Sequence, residues 1–337
     1  MSIEQEVCID KYGFIGGEQF SNPTNELDGE QLKRLRKRES KWLEVLSNWE
    51  LHMNKRFDKV RTRCRKGIPE GIRPRAWQYL CGSRQDIFRF KGRYHTLIQQ
   101  DGDMAVIDQI GKDVGRQYPQ HEIFGSQQGF GQQSLFNVLK AYSILHPVTG
   151  YCQAQAPIAA ALLIHMPEEE AFWTFCAICQ HYLPGYFDSG LERVQLDAKI
   201  LYGLLKRHVP QAHKHLVLHE VEPVYFMIDW FMCIFTRNFP WATVVRVLDM
   251  FFCEGIKVVF RIALALIKTV AGSEEAKRAH NSTESIVAFL RNLPPEVTTP
   301  DFIVSESLKF ASIPAAEFVY EHLKQRRNCA DGSSQLS

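Results

Sequence analysis

Gly131-Gln-Gln-Ser-Leu135-Phe-Asn-Val138-Leu139-Lys-Ala141-Tyr142 is a stretch in which apolar positions return at every third or fourth step. That interval is the turn of an α-helix and not the alternation of a strand, so it predicts a helix over 132–145 with one buried stripe. The same spacing extends outward over 106–116, 155–165, 168–182, 190–208, 211–219, 222–237, 240–252 and 256–270, with Pro or Gly at most junctions. Strand alternation is scarce, no βαβ rhythm appears, and no period of about 30 to 45 residues marks a repeat array. The expected fold class is all-α, a multi-helix globule.

Toward the N-terminus, residues 1–30 are rich in Gly, Asn, Pro and acid, around one apolar island, Tyr12-Gly-Phe14-Ile15. They read as an extended leader that docks by Tyr12 and Phe14. Residues 31–62 read as a basic amphipathic helix with Leu32, Leu35, Trp42, Leu43, Leu46, Trp49, Met53 and Phe57 on its apolar side. Lys66-Gly-Ile-Pro69 through Pro74 is a turn feeding a helix in which Arg73 and Trp77, four apart, share a face. Gly82-Ser83 ends it, and 87–100 reads as the next helix. After Gly272 the run Ser-Glu-Glu-Ala-Lys-Arg-Ala-His-Asn suggests a surface linker. Helices over 284–292 and 315–325 follow within a 273–325 extension, and 326–337 reads as a disordered tail.

The chain has 337 residues, 45% hydrophobic and 23% charged, enough for a real core and ordinary for a globular protein. A net charge of +2 gives no general affinity for nucleic acid. The charge is unevenly placed: residues 31–75 hold fifteen Lys/Arg against five Asp/Glu. Such a field can face an anionic membrane surface, through residues 31–66, or an acidic protein. Nine scattered cysteines and a polar start without a secretory leader suggest the cytosol. Val258 to Val270, interrupted by Arg261 and Lys268, is too short to span a bilayer.

No phosphate-binding loop of the Walker type and no Gly-x-Ser-x-Gly elbow is present. Gly129-Phe-Gly131 reads as a turn into a helix. Cys176-Ala-Ile-Cys179 lies in an aromatic segment and reads as a buried helix face. His208, His213, His215 and His219 read as a solvated helix edge rather than a metal site. Arg116 and Gln153 stand out, one on each side of the helix over 132–145. Taken singly, an Arg three residues after Asp113 can pair with it or lie against a helix C-terminus, and a Gln between Cys152 and Ala154 can cap a helix.

Several blocks, in order, carry a resemblance. They are Lys66-Gly-Ile-Pro69, Arg73-Pro-Arg-Ala-Trp77, Ile110-x-x-Asp113-x-x-Arg116-Gln-Tyr-Pro119, Gly131 to Tyr142, Gly150-Tyr151-Cys152-Gln153, Trp230-Phe-x-x-x-Phe235, Arg246-Val-Leu-Asp249-x-x-Phe252 and Glu254-Gly255. The sequence resembles the TBC domains, all-helical activators of Rab GTPases, over about residues 63–272. Tyr-Cys-Gln-Ala-Gln-Ala-Pro157, His121-Glu-Ile-Phe124, Leu183-Pro-Gly-Tyr186, the Asp10-Lys-Tyr12-Gly-Phe14 leader and Leu293-Pro-Pro-Glu296 look like its EPI-type subgroup, associated with Rab thirty-five-type substrates. Leu248 stands where the family usually has Trp, and Ala154-Gln155-Ala156 where it commonly has Gly-Met-Asn. The terminal Ser-Gln-Leu-Ser337 is not expected to be the PDZ-ligand tail of some subgroup members.

The resemblance implies two helical subdomains and a catalytic activator of a partner GTPase, with no nucleotide site or cofactor of its own. GTP and Mg would be carried by a Rab in its GTP form. Arg116 would be an arginine finger and Gln153 a glutamine finger orienting the attacking water. Asp113, Tyr151, Arg73 and Trp77 are expected as supporting residues, Asp113 by holding the guanidinium. The setting would be vesicle traffic, with a cytoplasmic protein recruited peripherally to plasma or endosomal membranes. A non-catalytic GTPase-binding module, or a membrane adaptor, remains the alternative.

Overall fold

The computed structural model describes residues 9–15, 28–125 and 129–333. Among them the regular structure is helical, with only isolated β-bridges at Ile9, Phe14, Ile15 and His121. The chain divides into two compact units, Met1–His181 and Tyr182–Ser337.

In the first unit the helices run, in order, Gly29–Ser47, Trp49–Lys55, Phe57–Arg65, Arg73–Cys81, Ser83–Arg89, Arg93–Gln99, Met104–Val114, Phe130–Leu145, Gln155–Leu163 and Glu168–Ala177, here α1 to α10. The opening stretch is α8. It buries Gly131, Ser134, Leu135, Val138, Leu139 and Tyr142, the stripe its spacing predicts. Helices α6, α7, α9 and α10 all pack against it. Its first turn lies so close to the preceding loop that a Cβ on Gly131 would overlap the Ile123 side chain and sit 2.5 Å from the Ile123 carbonyl oxygen. Helix α9 is buried along its whole length, and its Ala156, Ala159, Ala160 and Ala161 let neighbouring backbones approach. The π-turn Ile178–Tyr182 follows α10, where one helix over 168–182 was expected.

The basic N-terminal segment is three helices rather than one. The Asn48 side chain and backbone N–H both bond the Glu44 carbonyl, which ends α1, and a second break falls at Arg56. Trp42 and Leu46 enter the core, whereas Leu32 and Leu43 of the expected apolar side are exposed. The helix expected over 87–100 likewise splits, with Gly92 in the left-handed region at φ 77° between α5 and α6.

The second unit contains Glu192–His208, Pro210–Leu218, Val224–Met232, Trp241–Glu254, Lys257–Ala271, Glu274–Ala279, Thr283–Arg291, Pro300–Leu308 and Ala315–Ser333, α11 to α19. Helix α15 is its centre, nearly all buried, and its Arg261 pairs with Glu254 at 2.7 Å. Leu248 sits in the core of this unit. Four readings change here. The expected linker after Gly272 holds α16, because Ser273 caps it by accepting the Ala276 N–H and two glutamates occupy its first turn. Helix α18 was not anticipated, although Thr299 caps it and Pro300 opens it. Helix α19 runs to Ser333, so most of the 326–337 stretch expected to be disordered is helical; residues 334–337 lie outside the described ones. His215 is buried and bonds the His280 carbonyl at 2.5 Å, unlike a solvated edge. Cys176 and Cys179 are buried, and burial pushes both thiols up. Among the described residues no helix is long and apolar enough to cross a membrane.

Candidate functional site

The site residues of the first unit gather where α7 ends. Asp103 starts that helix by accepting from the Ala105 and Val106 N–H groups, and Ile110, Asp113 and Val114 face inward. Asp113 is therefore a carboxylate inside the protein, at 1% exposure, and a buried charge of this kind has to be matched. One oxygen takes an ion-paired hydrogen bond from Arg116 Nη2, just past the helix end. The other accepts from the Tyr151 hydroxyl at 2.7 Å and from Gln109 Nε2 at 3.4 Å. The Asp113 carbonyl, freed by the helix ending, accepts from Gln117 Nε2 at 2.9 Å. Arg116 also lies at the negative end of the α7 dipole. Its side chain remains 51% exposed, so the guanidinium is held on one edge and open on the other.

Past Arg116 the chain turns through Tyr118, whose φ of 41° is left-handed and disfavoured for a side chain with a Cβ. The leader holds this turn. Phe14, buried, meets the His121 ring edge-on at 4.8 Å and the Tyr118 ring at 6.1 Å. Ile15 N–H donates to the Gln120 carbonyl at 2.7 Å, and Glu122 N–H donates to the Gly13 carbonyl at 2.8 Å. Gly13 has φ +90°, and a Cβ there would sit 2.8 Å from both His121 Nε2 and Glu122 Oε1. The leader docks by Phe14 as expected, while Tyr12 is half-buried and offers its carbonyl to His121 Nε2 at 2.7 Å. Burial lowers the His121 pKa, which favours the neutral ring in that bond.

On the far side of α8, Tyr151 is half-buried and Gln153 exposed. Burial, with the hydrogen bond to Asp113, pushes the Tyr151 phenol up, so it stays a donor. Helix α9 has no side-chain cap at its start; Gln155 Oε1 instead accepts the Cys152 N–H at 3.1 Å, bracing the turn that presents Gln153. Asp113 is the junction of the arrangement, because Arg116 and Tyr151 meet on its two oxygens. Arg73 and Trp77, expected to brace the fold, lie in the interior. The Arg73 guanidinium donates to the Ile68 carbonyl at 2.7 Å, and Trp77 stacks edge-on against His165 at 5.0 Å.

The family model of the Rab-GTPase-TBC domain matches residues 70–272. The chain belongs to this family. The chain is similar to mouse TBC1 domain family member 10A, 45% identical over 328 residues, which is 97% of this chain and 65% of that protein. Human TBC1 domain family member 10B is 47% identical over 312 residues, 93% of this chain and 38% of that protein. The Drosophila melanogaster protein TBC1 domain family member whacked is 42% identical over 329 residues, 97% of this chain and 90% of its own. The chain thus spans less than two thirds of the member 10A and 10B proteins, which bear out the expected EPI-type subgroup.

Among solved structures, the Chlamydomonas flagellar RabGAP TBC domain aligns with TM-score 0.67 at 22% identity, covering 89% of this chain and 99% of that one. The Ypt/Rab-GAP domain of Gyp1p aligns with TM-score 0.65 at 20% identity, covering 84% and 99%. These likenesses show that the TBC domain here has the same all-α fold.

Sequence reasoning reached Arg116, Asp113 and Tyr151 but missed Gln109, Gln117, Gln155 and His121. Gln109 carried a local signal, lying one helical turn before Asp113. Nothing local marks His121, whose leader partner is 109 positions away.

Proposed function

We propose that this chain accelerates GTP hydrolysis on a Rab-family GTPase, supplying Arg116 and Gln153 in trans. The observation that carries this reading is the buried Asp113 carboxylate shared by Arg116 and Tyr151, which fixes a half-exposed guanidinium beside the turn that carries exposed Gln153. Phosphoryl transfer from GTP passes through a loose transition state, so a helper protein acts by position and charge. A guanidinium is permanently charged and can offer several donors to the phosphate oxygens. With one edge held by Asp113, Arg116 meets them with little rotamer searching. Gln153 has the donor and the acceptor of a carboxamide, which suits orienting a water. GTP and Mg belong to the partner and complete the site. A Rab thirty-five-type GTPase is the substrate to try first, on the subgroup resemblance. Recruitment from the cytoplasm to an anionic plasma or endosomal membrane through residues 31–66 accompanies this reading.

Trans-supplied arginine gives roughly 10³–10⁵ in rate, about 4–7 kcal/mol of barrier. Single-turnover hydrolysis by a panel of GTP-loaded Rabs should respond to the wild type and lose most of the acceleration with Arg116→Ala and Arg116→Lys. Gln153→Ala should lose a comparable or somewhat smaller share. An Arg116→Lys variant as fast as wild type would overturn the arginine role. Stable binding of the GTP form without any acceleration would leave the non-catalytic module instead.

A further inference from the structure

A second feature of the first unit stands outside this site. Arg34, Lys37, Arg38 and Lys41 follow the 0, 3, 4, 7 spacing of one helix face on α1. Lys59, Thr62, Arg63 and Lys66 repeat that spacing along α3 and its C-terminal cap. The two faces meet in one open groove of about 660 Å³, with Trp42, Asp58 and Gly67 completing its lining. Its size lies within the roughly 300–1,000 Å³ of small-molecule sites. Here seven cations from two helices converge on one concavity.

Apart from Arg34, which pairs with Glu30, the cations divide into two groups. Arg38 and Arg63 bind the walls together: Arg38 Nη2 donates to the Lys66 and Gly67 carbonyls at 3.2 and 2.5 Å, and Arg63 Nη1 donates to the Lys41 carbonyl at 3.1 Å. Of the carboxylates nearby, Asp58 pairs with a cation outside the groove, whereas Glu30 and Glu44 face the groove residues Arg34 and Arg63. Asp58 pairs with Arg61 at 2.7 Å, Glu30 with Arg34 at 3.4 Å, and Glu44 approaches His52 at 3.5 Å and Arg63 at 4.0 Å. Lys37, Lys41, Lys59 and Lys66 have no carboxylate within pairing distance among the described residues. Two braced walls thus present four ammonium groups to one space, an arrangement of like charges that an anion would relieve.

We infer that the α1/α3 groove is a binding site for a compact, multiply phosphorylated ring, the chemistry of an inositol polyphosphate, either free or as a lipid head group. Ammonium groups are point charges that accept phosphates at many angles, and four of them on two walls match several phosphates spaced around a ring better than a single phosphate. The inference deepens the membrane-recruitment reading and is independent of the GTPase chemistry.

The test uses the full chain in two arms. Calorimetry with soluble inositol trisphosphate, against inorganic phosphate as control, measures the groove itself. Sedimentation with phosphatidylcholine vesicles containing a phosphatidylinositol bisphosphate, against vesicles matched in charge with phosphatidylserine, identifies the lipid source. Lys37→Gln/Lys41→Gln and Lys59→Gln/Lys66→Gln should each weaken trisphosphate binding about 30-fold, taking about a fivefold change for each charge lost near an anionic surface. The decisive control is Lys33→Gln/Arg36→Gln, which removes the same charge from exposed positions of α1 that do not line the groove. It should leave binding within a few-fold. Equal losses in the control and groove variants would overturn the site, leaving only a diffuse field, and so would trisphosphate binding no tighter than inorganic phosphate. Equal sedimentation with both vesicle types, alongside tight groove-dependent binding of soluble trisphosphate, would support the site with the free ligand as its source. Membrane recruitment would then rest on charge alone.

Discussion

Replacing Asp113 by Asn tests whether Arg116 acts through an anchor. The change keeps the shape and removes the charge, so the packing around a side chain only 2% exposed is preserved. A hydrogen bond to a charged group contributes about 1.5–3 kcal/mol, and the carboxylate accepts such bonds from both Arg116 and Tyr151. The Arg116 pair is discounted to about 1 kcal/mol because its guanidinium is half in water. The Tyr151 bond keeps its full value. Asp113→Asn should therefore cost about 2–4 kcal/mol of stability, or roughly 5–15 °C in Tm for units of this size.

The effect on rate is worked separately. A released arginine has to be ordered at each encounter, and fixing such a side chain costs about 1–2 kcal/mol. That predicts a kcat lower by about 5- to 30-fold, far less than deleting the guanidinium. Single-turnover hydrolysis at saturating GAP and a temperature where the variant is folded gives the comparison with Arg116→Ala. An unchanged kcat would refute the anchoring argument. A loss as large as that of Arg116→Ala would refute it too, since Asp113 would then do more than orient.

Other outcomes follow from the same geometry. Tyr151→Phe removes one of the donors to Asp113 and should lower stability by about 1–2 kcal/mol, with a rate loss smaller than that of Asp113→Asn. Gly131→Ala forces the first turn of α8 away from Ile123 and should cost about 1–3 kcal/mol, read by denaturant unfolding; Gly111→Ala, where an added Cβ meets nothing within 4 Å, is the control. Phe14→Ala should release the leader without unfolding the unit, so hydrogen exchange should quicken at residues 10–15 and 118–122 and stay slow in α8. His165 has its pKa lowered to about 3, first by burial and then by the Arg73 charge. The unfolded chain therefore binds its proton first, and stability present above the ordinary value near 6.5 is lost as pH falls toward 3, by about 2 kcal/mol at pH 5. His165→Leu should flatten that part of the stability profile.

What the sequence disclosed follows from the range of each interaction. Helix α8 was legible because its buried stripe is set by neighbours three and four residues apart, and the Asp113–Arg116 pair was legible for the same reason. The breaks at Asn48 and Gly92 were harder, since one side chain or one glycine conformation interrupts a periodicity that otherwise continues. Ser273 and Thr299 did carry capping signals, but the polar composition around Ser273 resembled a linker. The Tyr151–Asp113 bond spans 38 positions, and nothing local to either residue indicates it.

The docking of Phe14 on the Tyr118–His121 turn bears on what counts as the working unit. The family match begins at residue 70 and contains Arg116, Asp113 and Gln153, yet the strap that steadies the Arg116 turn lies far upstream of it. A fragment cut at the matched boundary would keep every residue proposed to touch the nucleotide. It would also leave an empty seat on His121, and a left-handed turn at Tyr118 with less to hold it. The precision of the arginine is then set partly by a short piece of chain outside the homologous core. A tag or truncation that lifts residues 10–15 should loosen the turn next to Arg116, read as faster hydrogen exchange at 118–122.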